Sequence, residues 1–156
     1  MQARDNMQGL KKILIVDDSE IDRMVLKGIL ENEFDVYEVD NGYAALDMLI
    51  MQKKPLDAIF LDISMPILDG LDVLSIMRKH KLDNIPIFMI TSEATKDNIE
   101  KAIQYHIEDF IRKPFDREFI LQRIRARLNI EPQYTCSDKD MEMIKKYIAD
   151  LEGIYN

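Results

Sequence analysis

Four places in this sequence carry side chains that could act together on a charged substrate. Asp17-Asp18 follows the apolar run Ile13–Val16, Asp62 follows Ala58–Leu61, Thr91-Ser92 follows Ile87–Ile90, and Arg112-Lys113-Pro114 follows Phe110-Ile111. Together they amount to three carboxylates, a hydroxyl and an amine. A buried strand that ends in a carboxylate needs a reason, because an unpaired buried charge is costly. Two unit charges about 4 Å apart repel by roughly 4 kcal/mol at an effective dielectric near 20. Three gathered acids must therefore take up protons or bind a cation. Oxygen donors of this kind suit a hard divalent ion, and Mg²⁺ keeps waters and leaves room for a phosphate oxygen. An aspartate beside such an ion can act as a nucleophile and form an aspartyl phosphate. Lys113 and Thr91 would then be available to bind the phosphoryl oxygens.

These residues can meet only if the chain brings the ends of its apolar runs to one rim. Five short runs, the four above and Val36–Val39, alternate with amphipathic stretches at about 19–31, 43–52, 70–80, 95–106 and 116–128. That alternation predicts an α/β fold with a parallel sheet covered on both faces. The central runs are uniformly apolar, as strands buried on both faces should be. Phe34-Asp35-Val36-Tyr37-Glu38-Val39 carries two charges and reads as an edge strand. In an open α/β sheet, ligands bind beyond the carboxyl ends of the strands, which is where the polar residues fall. Ser19 with Asp22 forms a capping pattern at the first helix, and Asp69-Gly70 sets an N-cap before the third.

The chain has 156 residues, 47% hydrophobic and 32% charged, with a net charge of −8. Such an acidic chain is a poor ligand for nucleic acid or an anionic membrane. Neither a signal-peptide core nor a run long enough to span a bilayer is present, so a cytoplasmic location is expected. The lone Cys136 reads as an inert thiol. His80 and His106 are far apart without ligand spacing and read as surface residues. Past Leu128, Asn129 to Gln133 reads as a linker, because Pro132 stops a helix. Ser137 to Asp140 is a second capping box. Met141, Ile144, Ile148, Leu151 and Tyr155, spaced 3, 4, 3, 4, predict a helix with one apolar seam over 138–155. The expected layout is a tail at 1–9, a domain at 10–129, and a linker with helical extension at 130–156.

Residues 10–128 resemble the receiver domain of two-component response regulators, of the chemotaxis-regulator type. The matching motifs are Ile15-Val16-Asp17-Asp18, Leu61-Asp62-Ile63-Ser64-Met65-Pro66 with Asp69-Gly70, Thr91-Ser92-Glu93-Ala94, and Asp109 to Phe115, in the family's order and spacing. The resemblance implies a flavodoxin-like, doubly wound five-stranded sheet of order 2-1-3-4-5 with five helices, here followed by the C-terminal helical extension. It also implies that Asp62 accepts a phosphoryl group from the phosphohistidine of a sensor histidine kinase or phosphotransfer protein. Mg²⁺ would be held by Asp17, Asp18, Asp62 and the Ser64 backbone carbonyl. Lys113 and Thr91 would bind the phosphoryl group, Phe110 would be the switching aromatic, and Ser64 and Glu93 would tune dephosphorylation. The Lys113–Pro114 bond would be cis. Output would pass through the face of the fourth helix, fifth strand and fifth helix, or through pairing of two copies by that face or the C-terminal helix. His106-Ile107 stands where many receivers have Gly-Ala, and Phe110 lacks the hydroxyl of the more familiar Tyr.

Plainer readings exist for each residue. Asp17-Asp18 could cap the first helix, Thr91 could cap the fourth, Lys113 could lie on the surface, and Phe110 could be core. A rival chemistry is the Mg²⁺-dependent phosphatase of haloacid dehalogenase type. Those enzymes usually carry a second Asp two residues after the nucleophile, where this chain has Ser64.

Overall fold

The computed structural model describes residues 9–130 and 138–155. Five strands, β1 (Lys12–Val16), β2 (Asp35–Val39), β3 (Ala58–Asp62), β4 (Ile87–Thr91) and β5 (Asp109–Arg112), form one parallel sheet. Their order is β2-β1-β3-β4-β5, so the charged β2 is an edge strand, as its sequence predicts. The helices are α1 (Glu20–Leu30), α2 (Gly42–Leu46), α3 (Gly70–Lys79), α4 (Lys96–Ile103), α5 (Arg117–Arg127) and α6 (Asp138–Tyr155). Each apolar run forms its strand, and every residue of β3 and β4 is buried. Fully burying one such aliphatic side chain contributes about 1.5–3 kcal/mol.

The second helix departs from its expected form. The stretch read as a helix over 43–52 is α-helical only to Leu46 and continues as a π-helical turn over Asp47–Met51. The fourth is shorter than expected and starts from an N-cap at Thr95, whose hydroxyl accepts from the Asn98 amide. Thr91 therefore does not cap it. With few glycines available, left-handed turns beyond the helices fall on Lys53, Lys81, His106 and Asn129. Glycine is the usual residue there because it has no Cβ. His106 adopts φ +57°. Arg78 secures that loop from α3. Its guanidinium donates to the carbonyls of Tyr105 at 2.8 Å, Leu82 at 2.6 Å and His106 at 3.3 Å.

The sheet divides the core into two layers. One holds Leu14, Leu61, Leu74 and the buried methionines Met65, Met77 and Met89, with Phe110 packed against it. The other holds Ile15, Leu26, Ile90 and Ile124 with the fully buried Phe34, Phe60 and Phe88. Phe60 and Phe88 stack across β3 and β4 at 5.0 Å between ring centres. His80 and His106 are exposed. Of the seam residues of α6, Met141, Ile144, Ile148 and Leu151 are exposed, from Leu151 at 39% to Ile148 at 49%. Cys136 and the cap at Ser137 lie outside the described residues, as does most of the linker. Among the described residues, no helix is long and apolar enough to cross a membrane.

Candidate functional site

Parallel pairing of β1 with β3 and of β3 with β4 aligns Val16 with Leu61 and Asp62 with Ile90, so the strand ends meet at one rim. Asp17, Asp18 and Asp62 each present a carboxylate oxygen there, and the three oxygens lie within 4.8 Å of one another. Asp17 is 1% exposed and Asp62 3%, whereas Asp18 faces solvent. The Asp17–Asp18 loop is held by its backbone. The Asp17 amide donates to Val39, its carbonyl accepts from the Arg23 guanidinium at 2.7 Å, and Arg23 also pairs with Glu38 at 3.2 Å. Asp17 is not the cap of α1, because Ser19 occupies that position.

Lys113 reaches this rim from the end of β5. Its ammonium lies 2.9 Å from Asp17 Oδ2 and 3.2 Å from Asp62 Oδ2. It is mostly buried, so it is a part of the site and not a surface lysine. Its approach to Asp17 Oδ2 is close enough for an ion pair yet off the direction of a hydrogen bond, which leaves that buried oxygen without a hydrogen-bond partner. Burial, then the neighbouring Asp17 carboxylate, push the Asp62 carboxyl up to about 7, against the lowering pull of Lys113. For Lys113, burial lowers the pKa, but the hydrogen bond to Asp22 and the nearby Asp17 and Asp62 carboxylates outweigh it and leave it raised. The orphaned Asp17 oxygen and the three converging carboxylates fit a hard cation with oxygen ligands.

Gly70 makes the backbone geometry possible. Its amide donates to the Ile63 carbonyl at 2.9 Å, bringing the start of α3 against the end of β3. Asp69 and Asp72 cap α3 reciprocally. Between them and Asp62, Ile67 adopts φ +70° and is 88% exposed. A β-branched residue in this conformation is strained, by about 1–2 kcal/mol for the left-handed region. Asparagine tolerates it, so Ile67→Asn should raise the urea midpoint by the equivalent of roughly 0.5–1 kcal/mol.

Thr91 is 2% exposed. Its hydroxyl donates to the Glu93 carbonyl at 2.7 Å and accepts from the Glu93 amide at 3.0 Å. Ser64 and Glu93 are exposed, and the Ser64 amide donates to Asp62 Oδ1 at 3.1 Å. Phe110 is half-buried against the methionine-bearing layer. The Lys113–Pro114 bond is cis.

One site residue is not visible in the sequence reading. Ser19 and Asp22 form the capping pattern, but only one of the two bonds of a reciprocal capping box is present. The Ser19 hydroxyl accepts from the Asp22 amide at 3.3 Å, but the Ser19 amide donates to Asp17 Oδ1 at 2.9 Å. The Asp22 carboxylate instead meets Lys113 Nζ at 2.8 Å. Its place one helical turn beyond Asp18 was the available signal.

The profile of the response regulator receiver domain matches residues 13–125. The chain is 34% identical over 118 residues to the transcriptional regulatory protein SrrA of Staphylococcus aureus, covering 75% of this chain and 47% of SrrA. It is 31% identical over 121 residues to the sensor histidine kinase CheAY of Helicobacter pylori, covering 76% of this chain and 15% of that protein. It thus spans half or less of these relatives. A structure of the CheX–CheY–BeF3–Mg²⁺ complex from Borrelia burgdorferi contains a chain that superposes with a TM-score of 0.69 at 29% identity, covering 80% of this chain and 93% of that one. The matched segment begins in β1 and ends within α5, and so contains all four polar strand ends. This chain belongs to the response regulator receiver domain family and is a phosphorelay receiver.

Proposed function

We propose that this receiver takes its phosphoryl group on Asp62, from the phosphohistidine of a sensor histidine kinase or phosphotransfer protein. The observation that carries this reading is Asp62 itself: a buried carboxylate at the end of a central strand, with an ammonium at 3.2 Å and two further acids beside it. An Asp62 oxygen attacks phosphorus as the phosphorus–nitrogen bond breaks, and the electron pair stays on the donor imidazole. Lys113 offsets the negative charge that accumulates on the phosphoryl oxygens. Asp17, Asp18, Asp62 and the Ser64 carbonyl would hold Mg²⁺, which supplies positive charge at those same oxygens. Beyond accepting and losing the group, with small donors as well as protein ones, the domain carries out no catalysis in this reading. No step fits the haloacid dehalogenase alternative, because the position of its general acid is Ser64.

The readout runs through Thr91. Its hydroxyl would leave the Glu93 carbonyl and bond the phosphoryl group, drawing the α4 end of the sheet inward. Phe110 would follow into the space beside the methionine-bearing layer and alter the face made by α4, β5 and α5. A shift from 1:99 to 99:1 needs roughly 5.5 kcal/mol of differential stabilisation, within reach of several charge-assisted hydrogen bonds. Ser64 and Glu93, at the exposed mouth, would set the phosphoryl lifetime. Intact mass after incubation with acetyl phosphate and Mg²⁺ tests this reading. One phosphoryl group should be gained, and none in EDTA. No gain, together with no response to beryllofluoride, would sink it.

We assign residues 130–156 to a connector outside the receiver at 10–129. Its acids outnumber its bases six to three from Glu131 to Asn156, which speaks against a nucleic-acid or membrane contact, and a cytoplasmic setting suits the phosphorelay chemistry. The part-exposed seam of α6 would pair two copies, with the α4-β5-α5 face as the other candidate dimer surface. Sedimentation of residues 1–130 beside the full chain, with and without beryllofluoride, separates these cases. A dimer lost on truncation points to α6, and one gained only with beryllofluoride in both forms points to the α4-β5-α5 face. Monomers throughout would exclude pairing.

A further inference from the structure

Asp22 stands in the site without a part in the chemistry just described. Lys113 has three N–H donors, and the carboxylates around it are Asp22 at 2.8 Å, Asp17 at 2.9 Å and Asp62 at 3.2 Å. The shortest of these contacts is to Asp22. Its side chain is 32% exposed, so packing does not confine it there. The Ser19 amide it could accept from in a capping box donates instead to Asp17 Oδ1, and the nearby Arg23 of α1 is committed to the Asp17 carbonyl and Glu38. Asp22 thus sets its carboxylate against the same ammonium that lies beside Asp62.

We propose that Asp22 is a competing counter-ion for Lys113 that weakens phosphoryl binding and shortens the phosphorylated state. This rests on the reading of Asp62 as the phosphoacceptor. A phosphoryl group on Asp62 adds charge of the same sign as Asp22 beside the same ammonium. Lys113 then divides its donors between the phosphoryl oxygens and the Asp22 carboxylate, and the two anions repel. When the group is lost, water attacks phosphorus and the bond to the Asp62 oxygen breaks. The electron pair returns to the Asp62 carboxylate, and the proton leaves with the phosphate or to solvent. Asp22 touches none of the reacting atoms. It is a positioning residue, acting through where Lys113 directs its N–H groups.

The test compares the full-length wild type with Asp22→Asn, which keeps the shape, and Asp22→Ala, which removes the group. Beryllofluoride is titrated at saturating Mg²⁺ and followed by ¹⁹F NMR. The phosphoryl half-life is read by intact mass after removal of acetyl phosphate. Both variants should bind beryllofluoride about tenfold more tightly, which corresponds to roughly 1.4 kcal/mol, and should hold the phosphoryl group longer. The gap should narrow in high salt, because charge repulsion is screened. A merely structural role would weaken binding or leave it alone. Unchanged or weaker binding by both variants, with a wild type that takes up phosphate, would overturn the role of Asp22 alone. A wild type that binds neither probe would remove the phosphoacceptor reading and this inference with it.

Discussion

Asp62→Asn should gain no phosphoryl group from acetyl phosphate and Mg²⁺ while the wild type gains one, yet in EDTA at pH 8 it should be the more stable protein. The first result follows from the loss of the attacking oxyanion, since a neutral amide is not a competent nucleophile here. The second follows from what the ionised carboxylate costs the fold. Burial and Asp17 raise the Asp62 pKa to about 7, above the ordinary carboxylate value of 3.8. Between those two values the folded chain binds more protons at this residue than the unfolded chain. Stability therefore falls as pH rises through that window, because its slope with pH follows the excess of protons on the unfolded state. Asparagine does not titrate and escapes the loss. The variant should gain on the wild type progressively from about pH 4 to pH 7 and keep the advantage above it, by about 1–3 kcal/mol. Thermal or urea unfolding of both proteins in EDTA across pH 4–8 is the measurement. A gap that stayed constant with pH would show that Asp62 is not held near neutrality. Saturating Mg²⁺ should close the gap, because charge at the orphaned Asp17 oxygen and its neighbours offsets the repulsion.

Gly70→Ala should cost the most stability of any single methyl group added to this chain's glycines. A Cβ at position 70 would lie 2.2 Å from the Asp62 carbonyl oxygen and 2.9 Å from the Ile63 Cα. Both are backbone atoms of the strand end, which cannot swing aside as a side chain can. The start of α3 must then withdraw from β3, giving up the Gly70 amide bond to Ile63. Overpacking of this kind costs about 1–3 kcal/mol, with the upper end expected where the obstruction is backbone. The same movement displaces Asp62. A misplacement of about 1 Å can lower a rate a hundredfold, so the rate of phosphorylation should fall further than the stability. Gly28→Ala is the matching control. Nothing lies within 4 Å of a Cβ added there, and the last turn of α1 should gain up to about 0.5–1 kcal/mol from losing a glycine. Urea midpoints and initial rates with acetyl phosphate would check both variants.

The strands and the rim were legible because burial writes itself into composition. Runs such as Ala58–Leu61 are apolar at every position only when both faces are covered, and a carboxylate directly after one stands out. The parts that were not legible depend on contacts that spacing does not encode. Asp22 fits a capping pattern three residues after Ser19, and local sequence contains nothing to divert it. Its partner Lys113 is 91 residues away. Arg78 looks like any basic residue in the last turn of a helix, whereas it ties three carbonyls, two of them in the loop before β5. The π-helical turn at Asp47–Met51 keeps an apolar pattern close enough to a regular helix that periodicity passes over it. Ile67 breaks the usual residue preference for its backbone conformation, so sequence argued against the very turn it adopts.

The two core layers differ in compliance. Among the described residues, the buried methionines Met65, Met77 and Met89 lie on the side that Phe110 packs against, and the fully buried phenylalanines Phe34, Phe60 and Phe88 lie on the other. Methionine has three rotatable bonds and fills irregular space, while stacked rings resist rearrangement. One side of the sheet can therefore deform at low cost while the other acts as a stiff backing plate. A displacement that begins at Thr91 would then spread sideways under Phe110 and not through the sheet toward α1. The methionine methyl groups are placed to report it: their NMR signals should shift with beryllofluoride, while the isoleucine methyls of Ile13 and Ile29 in the opposite layer stay still.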